Sequence, residues 1–216
     1  MQTLLIIAAV LSGLATIASD WRHQRRRLFY VAKPLTTLLV IALAWVSLAD
    51  APPYRAWITL ALSCCLLGDI ALMWHHRRAF MLGLSSFLFG HLLLIVAFAS
   101  DLPLSPLFLP LPALTVAGVY LLAALSYARW LLPRTGSLKP AVLVYLSVLM
   151  AMVLTALLRA GWTESAASRW VAIGALLFAL SDAVLAYRKF VATPWWGQPV
   201  TLLTYFLAIG LMAWAH

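Results

Sequence analysis

The sequence predicts an all-α protein, a polytopic membrane bundle of eight transmembrane helices. Three observations carry that expectation. Of 216 residues, 65% are hydrophobic and only 10% charged, whereas charged residues make up about a quarter of an ordinary soluble domain. The apolar residues come in runs of about 20, the length that crosses a hydrocarbon layer about 30 Å thick. The runs are continuous, which argues against the alternating pattern of barrel strands.

Spans are expected at about 2–19, 29–49, 54–74, 80–100, 112–131, 140–159, 168–187 and 195–215. Met1-Gln2-Thr3 leads into the first with no basic stretch ahead of it, so this run is expected to be a retained span and not a cleaved secretory signal. Lys33-Pro34 opens the second span. The third carries Cys64, Cys65 and Asp69. Adjacent cysteines cannot form a metal site alone, and a bridge between them would be strained, so they are expected to be small core residues. His75, His76, Arg77 and Arg78 follow, expected as a solvated loop against anionic lipid. The fourth span holds Ser85, Ser86 and His91. Between it and the fifth runs DLPLSPLFLPLP, from Asp101 to Pro112. Its prolines at 103, 106, 110 and 112 forbid a regular helix, so an extended lid over the outer surface is expected. Lys139-Pro140 opens the sixth span, a short loop from Ala160 to Ala167 follows it, and Asp182 lies in the seventh. No loop is long enough to be a domain, so residues 1–216 are expected to form one membrane domain whose chemistry lies between helices.

The net charge of +9 would suit nucleic acid if it were gathered in a groove. It lies instead in short loops, as topology signals do, and no nucleic-acid partner is expected. Twelve Lys and Arg fall on one side of the spans and three (Arg55, Arg159 and Arg169) on the other. The richer side is expected to be cytoplasmic, with both termini outside and the chain in a bacterial inner membrane.

A faint repeat runs through the chain. Lys33-Pro34 matches Lys139-Pro140, and LGDIAL from Leu67 matches LSDAVL from Leu180. Four spans per half would give two parallel halves, with Asp69 and Asp182 in equivalent places and facing each other.

Those two acids pose the functional question. A charge at the centre of a membrane helix costs roughly 2.5–3.5 kcal/mol on insertion scales. Each acid lies about six residues, or roughly 9 Å, inside the cytoplasmic end of its helix. Lys33 enters from the same side and can either snorkel to headgroups or pair with an acid. Ser85 and Ser86 lie near the acid level and can satisfy their hydroxyls on their own helix. His91 lies deeper, where packing or orientation is favoured over direct chemistry. Two carboxylates on one low-dielectric cavity cannot both ionise cheaply, so one is expected to keep its proton. Such a pair suits acid-assisted cleavage of an acetal or enol ether, or proton relay in a lipid or small-solute transporter. Composition and spacing leave both open. A metal-dependent hydrolase would need several intramembrane histidines, and His91 is the one on offer; no metal or cofactor is expected.

At these residues the chain resembles the YhhN family, whose animal members include membrane lysoplasmalogenases. The matching pieces are Lys33-Pro34, Leu67-Gly68-Asp69, Gly83…Phe87…Gly90-His91, Ser181-Asp182…Leu185-Ala186…Phe190 and Tyr205-Phe206-Leu207-Ala208. The chain departs from the family at Leu94, where tyrosine is usual, and at Ile209, where glutamine is. The resemblance implies hydrolysis of the 1-alkenyl ether of a lysophospholipid, giving a fatty aldehyde and a glycerophospho-ethanolamine or -choline. It implies Asp69 and Asp182 as the acid and base, in unassigned order. Lys33 would tune their proton sharing or hold the phosphate, and Ser86, His91 and Tyr205 would line the cavity.

Overall fold

A computed structural model describes residues 1–21, 26–74, 76–100, 102 and 111–215. Among them run eight long helices: α1 (Gln2–Trp21), α2 (Arg26–Ser47), α3 (Pro52–Ala71), α4 (Arg77–Ala99), α5 (Leu111–Leu131), α6 (Lys139–Thr163), α7 (Ala166–Phe190) and α8 (Gly197–Trp214). All eight are long and apolar enough to cross a membrane.

The helix ends depart from the sequence expectation for local reasons. His76 caps α4, its Nδ1 accepting from the Ala79 backbone N–H at 3.1 Å. The cap draws Arg77 and Arg78 into the first turn of α4 and out of the expected loop; His75 lies outside the described residues. At the far end of α6 the helix runs on to Thr163, so the expected loop from Ala160 to Ala167 shrinks to Glu164 and Ser165. Glu164 takes the left-handed conformation at φ 52°, a common way to end a helix, and Ser165 caps α7 by accepting from Ser168 N–H at 3.0 Å. Pro34 lies inside α2 and not at its start, so the Tyr30 carbonyl lacks its usual helical donor. Pro112 sits in the first turn of α5, where a missing N–H is harmless. Leu111 of the expected lid opens α5, and the rest of it, apart from Leu102, lies outside the described residues.

Consecutive helices pack in antiparallel neighbours: α1 on α2, α2 on α3, α3 on α4, then α5 on α6, α6 on α7 and α7 on α8. Contacts of α2 with α8 and of α4 with α6 close the bundle, and α1 and α3 also touch α8. Apart from these last two, the pairs map onto one another when each helix number is advanced by four. The core they enclose is apolar, with Ile58, Leu94, Phe98, Met152, Phe178 and Met212 fully buried.

Glycine sets the closest helix approaches, because lipid tails give apolar helices no hydrophobic reason to associate. A Cβ at Gly174 in α7 would stand 3.0 Å from the Ala208 carbonyl oxygen of α8, whereas one at Gly118 meets nothing within 4 Å. Backbone cannot swing aside as a side chain can. Gly174→Ala is expected to lower stability by about 1–3 kcal/mol, seen as a lower unfolding temperature in detergent, with Gly118→Ala giving no comparable drop.

Candidate functional site

A cavity of about 750 Å³ opens among α2, α3, α4, α7 and α8, and both intramembrane acids line it. Asp69 reaches it from α3, and Asp182 from α7. The remaining wall includes Lys33 on α2, Phe80 and Phe87 on α4, Leu185 and Arg188 on α7, and Gln198 and Tyr205 on α8. On α7 the lining positions fall at 181, 182, 185, 188 and 189, the spacing of one helix face.

The two carboxylates are held differently. Asp69 is ion-paired: Lys33 Nζ stands 3.1 Å from its Oδ1. Its Oδ2 accepts from the Thr37 hydroxyl at 2.7 Å and from the Tyr205 hydroxyl, also at 2.7 Å. Thr37 lies one turn beyond Lys33, so both side chains leave the same face of α2. A buried ion pair repays its desolvation only when its remaining oxygens are also bonded; here two hydroxyls bond them. Lys33 is itself buried, so its stem turns inward and does not snorkel to headgroups.

Asp182 has hydroxyl company and, among the described residues, no lysine or arginine in an ion pair with it. Its Oδ2 accepts from the Tyr145 hydroxyl of α6 at 2.6 Å. His91 Nε2 of α4 lies 3.9 Å from the same oxygen, beyond hydrogen-bonding distance. Each acid thus receives groups from the preceding helix and from the last helix of the other set of four: α2 and α8 for Asp69, α6 and α4 for Asp182.

Two aromatic residues of the wall, Phe87 and Tyr205, pack on each other. The Tyr205 ring meets Phe87 at 5.9 Å and Phe178 at 5.5 Å between centroids, both edge to face, a favourable arrangement. Ser181 beside Asp182 donates to the Thr201 carbonyl at 3.0 Å, tying α7 to α8.

Of the six residues singled out from the sequence, Asp69, Asp182, Lys33 and Tyr205 meet at the cavity. Two do not. His91 is fully buried behind the wall, its ring packed on Phe178 at 4.7 Å and Tyr145 at 5.4 Å. Both of its ring nitrogens lack a hydrogen-bond partner among the described residues. Ser86 is half-buried on the flank of α4, because Phe80, Phe87 and Leu94 occupy the inward-facing positions of that helix. Sequence reasoning missed Thr37, Tyr145 and Arg188. Tyr145 carried a usable signal: a phenol in the middle of an apolar span needs an acceptor. Arg159, counted among the outer loop charges, is buried in α6 with its guanidinium 4.9 Å over the Tyr54 ring. Cys64 and Cys65 are free thiols, Cys65 buried in the core. Among the described residues no three His, Cys, Asp or Glu gather where they could hold a metal ion.

Comparison with known proteins points one way. The pattern of the YhhN family matches residues 28–215. Human lysoplasmalogenase TMEM86B is 31% identical over 178 residues, covering 82% of this chain and 70% of that protein. A lysoplasmalogenase of Mycobacterium bovis is 34% identical over 154 residues, 66% of this chain and 56% of its own length. The membrane protein YhhN of Escherichia coli O6:H1 is 39% identical over 132 residues, 57% of this chain and 60% of that one. The chain therefore spans between 56% and 70% of the length of these three. No solved structure matches it.

Proposed function

The chain belongs to the YhhN family, and we propose that it is a multi-pass membrane hydrolase cleaving the vinyl ether of 1-alkenyl-lysophospholipids. One observation carries the reading: two carboxylates with unlike partners, one paired with a lysine and one bonded by a tyrosine hydroxyl, line a single cavity. Relatives named lysoplasmalogenase at 31% and 34% identity support it.

Asp182 acts as the acid. It transfers its proton to the β-carbon of the vinyl ether, leaving an oxocarbenium at the carbon bonded to oxygen. Asp69, fixed as a carboxylate by Lys33, Thr37 and Tyr205, faces that cation. The site stays neutral throughout: before transfer the Asp69 and Lys33 charges cancel, and afterwards the new carboxylate at 182 balances the oxocarbenium. No charge enters or leaves a low-dielectric region, where doing so is expensive. Water adds to the cationic carbon and returns a proton to the acid pair. The hemiacetal then collapses, its C–O bond breaking to give the fatty aldehyde and a glycerophospho alcohol.

The bundle's two-halved packing supports a four-span duplication, and the twelve-to-three charge asymmetry supports cytoplasmic access to the cavity in an inner membrane. A proton-relay transporter is the second reading, favoured by Pro34 lying inside α2 next to Lys33, where it removes one helical hydrogen bond.

Purified protein in detergent is expected to release fatty aldehyde from a 1-alkenyl-lysophospholipid and no fatty acid from its 1-acyl analogue. Lipid movement in vesicles without aldehyde would favour the transporter and overturn the hydrolase.

A further inference from the structure

Three basic side chains line the cavity, Lys33, Arg188 and Lys189, and the acid–base chemistry uses the first. Lys33 directs two of its three N–H donors at Asp69, one at Oδ1 at 3.1 Å and one at the backbone carbonyl at 3.4 Å. Lys189 rests its Nζ 4.6 Å over the Phe80 ring. Arg188, half-buried, lines the cavity in the last turn of α7. Its stem lies against the first residue of α8: a Cβ at Gly197 would stand 2.6 Å from Arg188 Cδ, 2.9 Å from Cγ and 3.2 Å from Nε. Gly197 is buried, and only a residue without a side chain leaves room for that stem.

We infer that Arg188 is the anchor for the phosphate of the substrate headgroup, and that Gly197 is the positioning residue that keeps it aimed into the cavity. The inference rests on the vinyl ether reading and adds to it the part of the molecule that recognises phosphate. Arg188 follows Asp182 by six residues on one helix, a rise of about 9 Å. The substrate supplies its own ruler. Six bonds separate the ether oxygen from a phosphate oxygen, at about 1.2 Å of extended reach each, and one charge-assisted hydrogen bond adds about 2.8 Å. The sum, about 10 Å, is close to that rise, so a phosphate held at the level of Arg188 leaves the vinyl group near the level of Asp182. The levels also agree. Arg188 lies two residues from the end of a membrane-spanning helix, at headgroup depth, and Asp182 lies a turn and a half deeper on the same helix, where glycerol gives way to hydrocarbon. A planar guanidinium can grip two phosphate oxygens at once, which an ammonium cannot.

The test compares three substrates, 1-alkenylglycerol, 1-alkenylglycerol phosphate and 1-alkenyl-lysophosphoethanolamine, with the intact protein and its R188Q, R188K and G197A variants. In R188Q the kcat/KM ratio of either phosphate-bearing substrate to 1-alkenylglycerol falls about ten- to hundredfold, through KM more than kcat. R188K recovers part of the ratio. G197A lowers it in the same direction, because the added methyl displaces the arginine stem. Equal losses on all three substrates would make Arg188 a structural residue and overturn the inference, and so would an unchanged ratio. Inorganic phosphate separates a lipid headgroup site from a general anion site: competition by phosphate alone at substrate-like concentration would overturn the headgroup assignment. Binding of a non-cleavable 1-alkyl-lysophospholipid is measured in parallel. Loss of that binding in R188Q with no aldehyde from any substrate would leave the phosphate site standing and remove the hydrolase; aldehyde release with binding unchanged in R188Q would do the reverse.

Discussion

Asp182→Asn reduces aldehyde release by about 10²–10⁴-fold, the usual contribution of a positioned acid, while the protein unfolds at nearly the wild-type temperature. The separation of the two effects is the point. Asp182 accepts one hydrogen bond from Tyr145, and the carbonyl of an asparagine can accept it in turn. Among the described residues no Lys or Arg forms an ion pair with Asp182, so the amide strands no cation. Asp69→Asn is expected to lose activity on the same scale but also to lose stability, because the buried ammonium of Lys33 loses its counter-charge. Kinetics on 1-alkenyl-lysophospholipid beside thermal unfolding in detergent reads both. Turnover surviving at both positions would remove the acid-pair mechanism, and identical stability losses would remove the distinction between the two carboxylates.

The eight spans were legible because each is a long apolar run, and no soluble alternative could bury so many. Their ends were less so. His76 and Ser165 are caps whose effect depends on side-chain geometry three residues away, which hydropathy does not register. That Asp69 and Asp182 line one cavity follows the expectation set by their place in apolar spans, although α3 ends two residues beyond Asp69 and not six. What holds each acid was not legible. Which residue of α6 faces α7 depends on how α6 is rotated, and that helix is apolar nearly all round, so Tyr145 had no face to declare itself by. His91 and Ser86 show the same difficulty on α4, where a shift of one position separates the inward Phe87 from the flanking Ser86. Arg188 depends on a glycine nine residues later in the next helix, a relation that exists only once the turn between α7 and α8 has formed.

Lys33→Met carries the largest expected stability effect. Methionine keeps most of the stem's volume and removes the ammonium, so the change isolates charge. Asp69 is buried with the ammonium at 3.1 Å and two hydroxyls on its other oxygen. Removing one member of a buried pair costs about 3–5 kcal/mol, most of it from the partner left behind. A snorkelling lysine would cost far less, since its charge would already lie among headgroups. The double variant Lys33→Met with Asp69→Asn decides between these. If the two groups form one buried pair, removing both is much less harmful than the sum of the single losses, and the shortfall measures their coupling. Additive losses would place the ammonium elsewhere. Activity adds an independent reading, because the double variant should refold without recovering aldehyde release. Recovered turnover in a protein with neither the ammonium nor the Asp69 carboxylate would mean that Asp182 works alone, and that the ion pair serves only to hold α2 against α3.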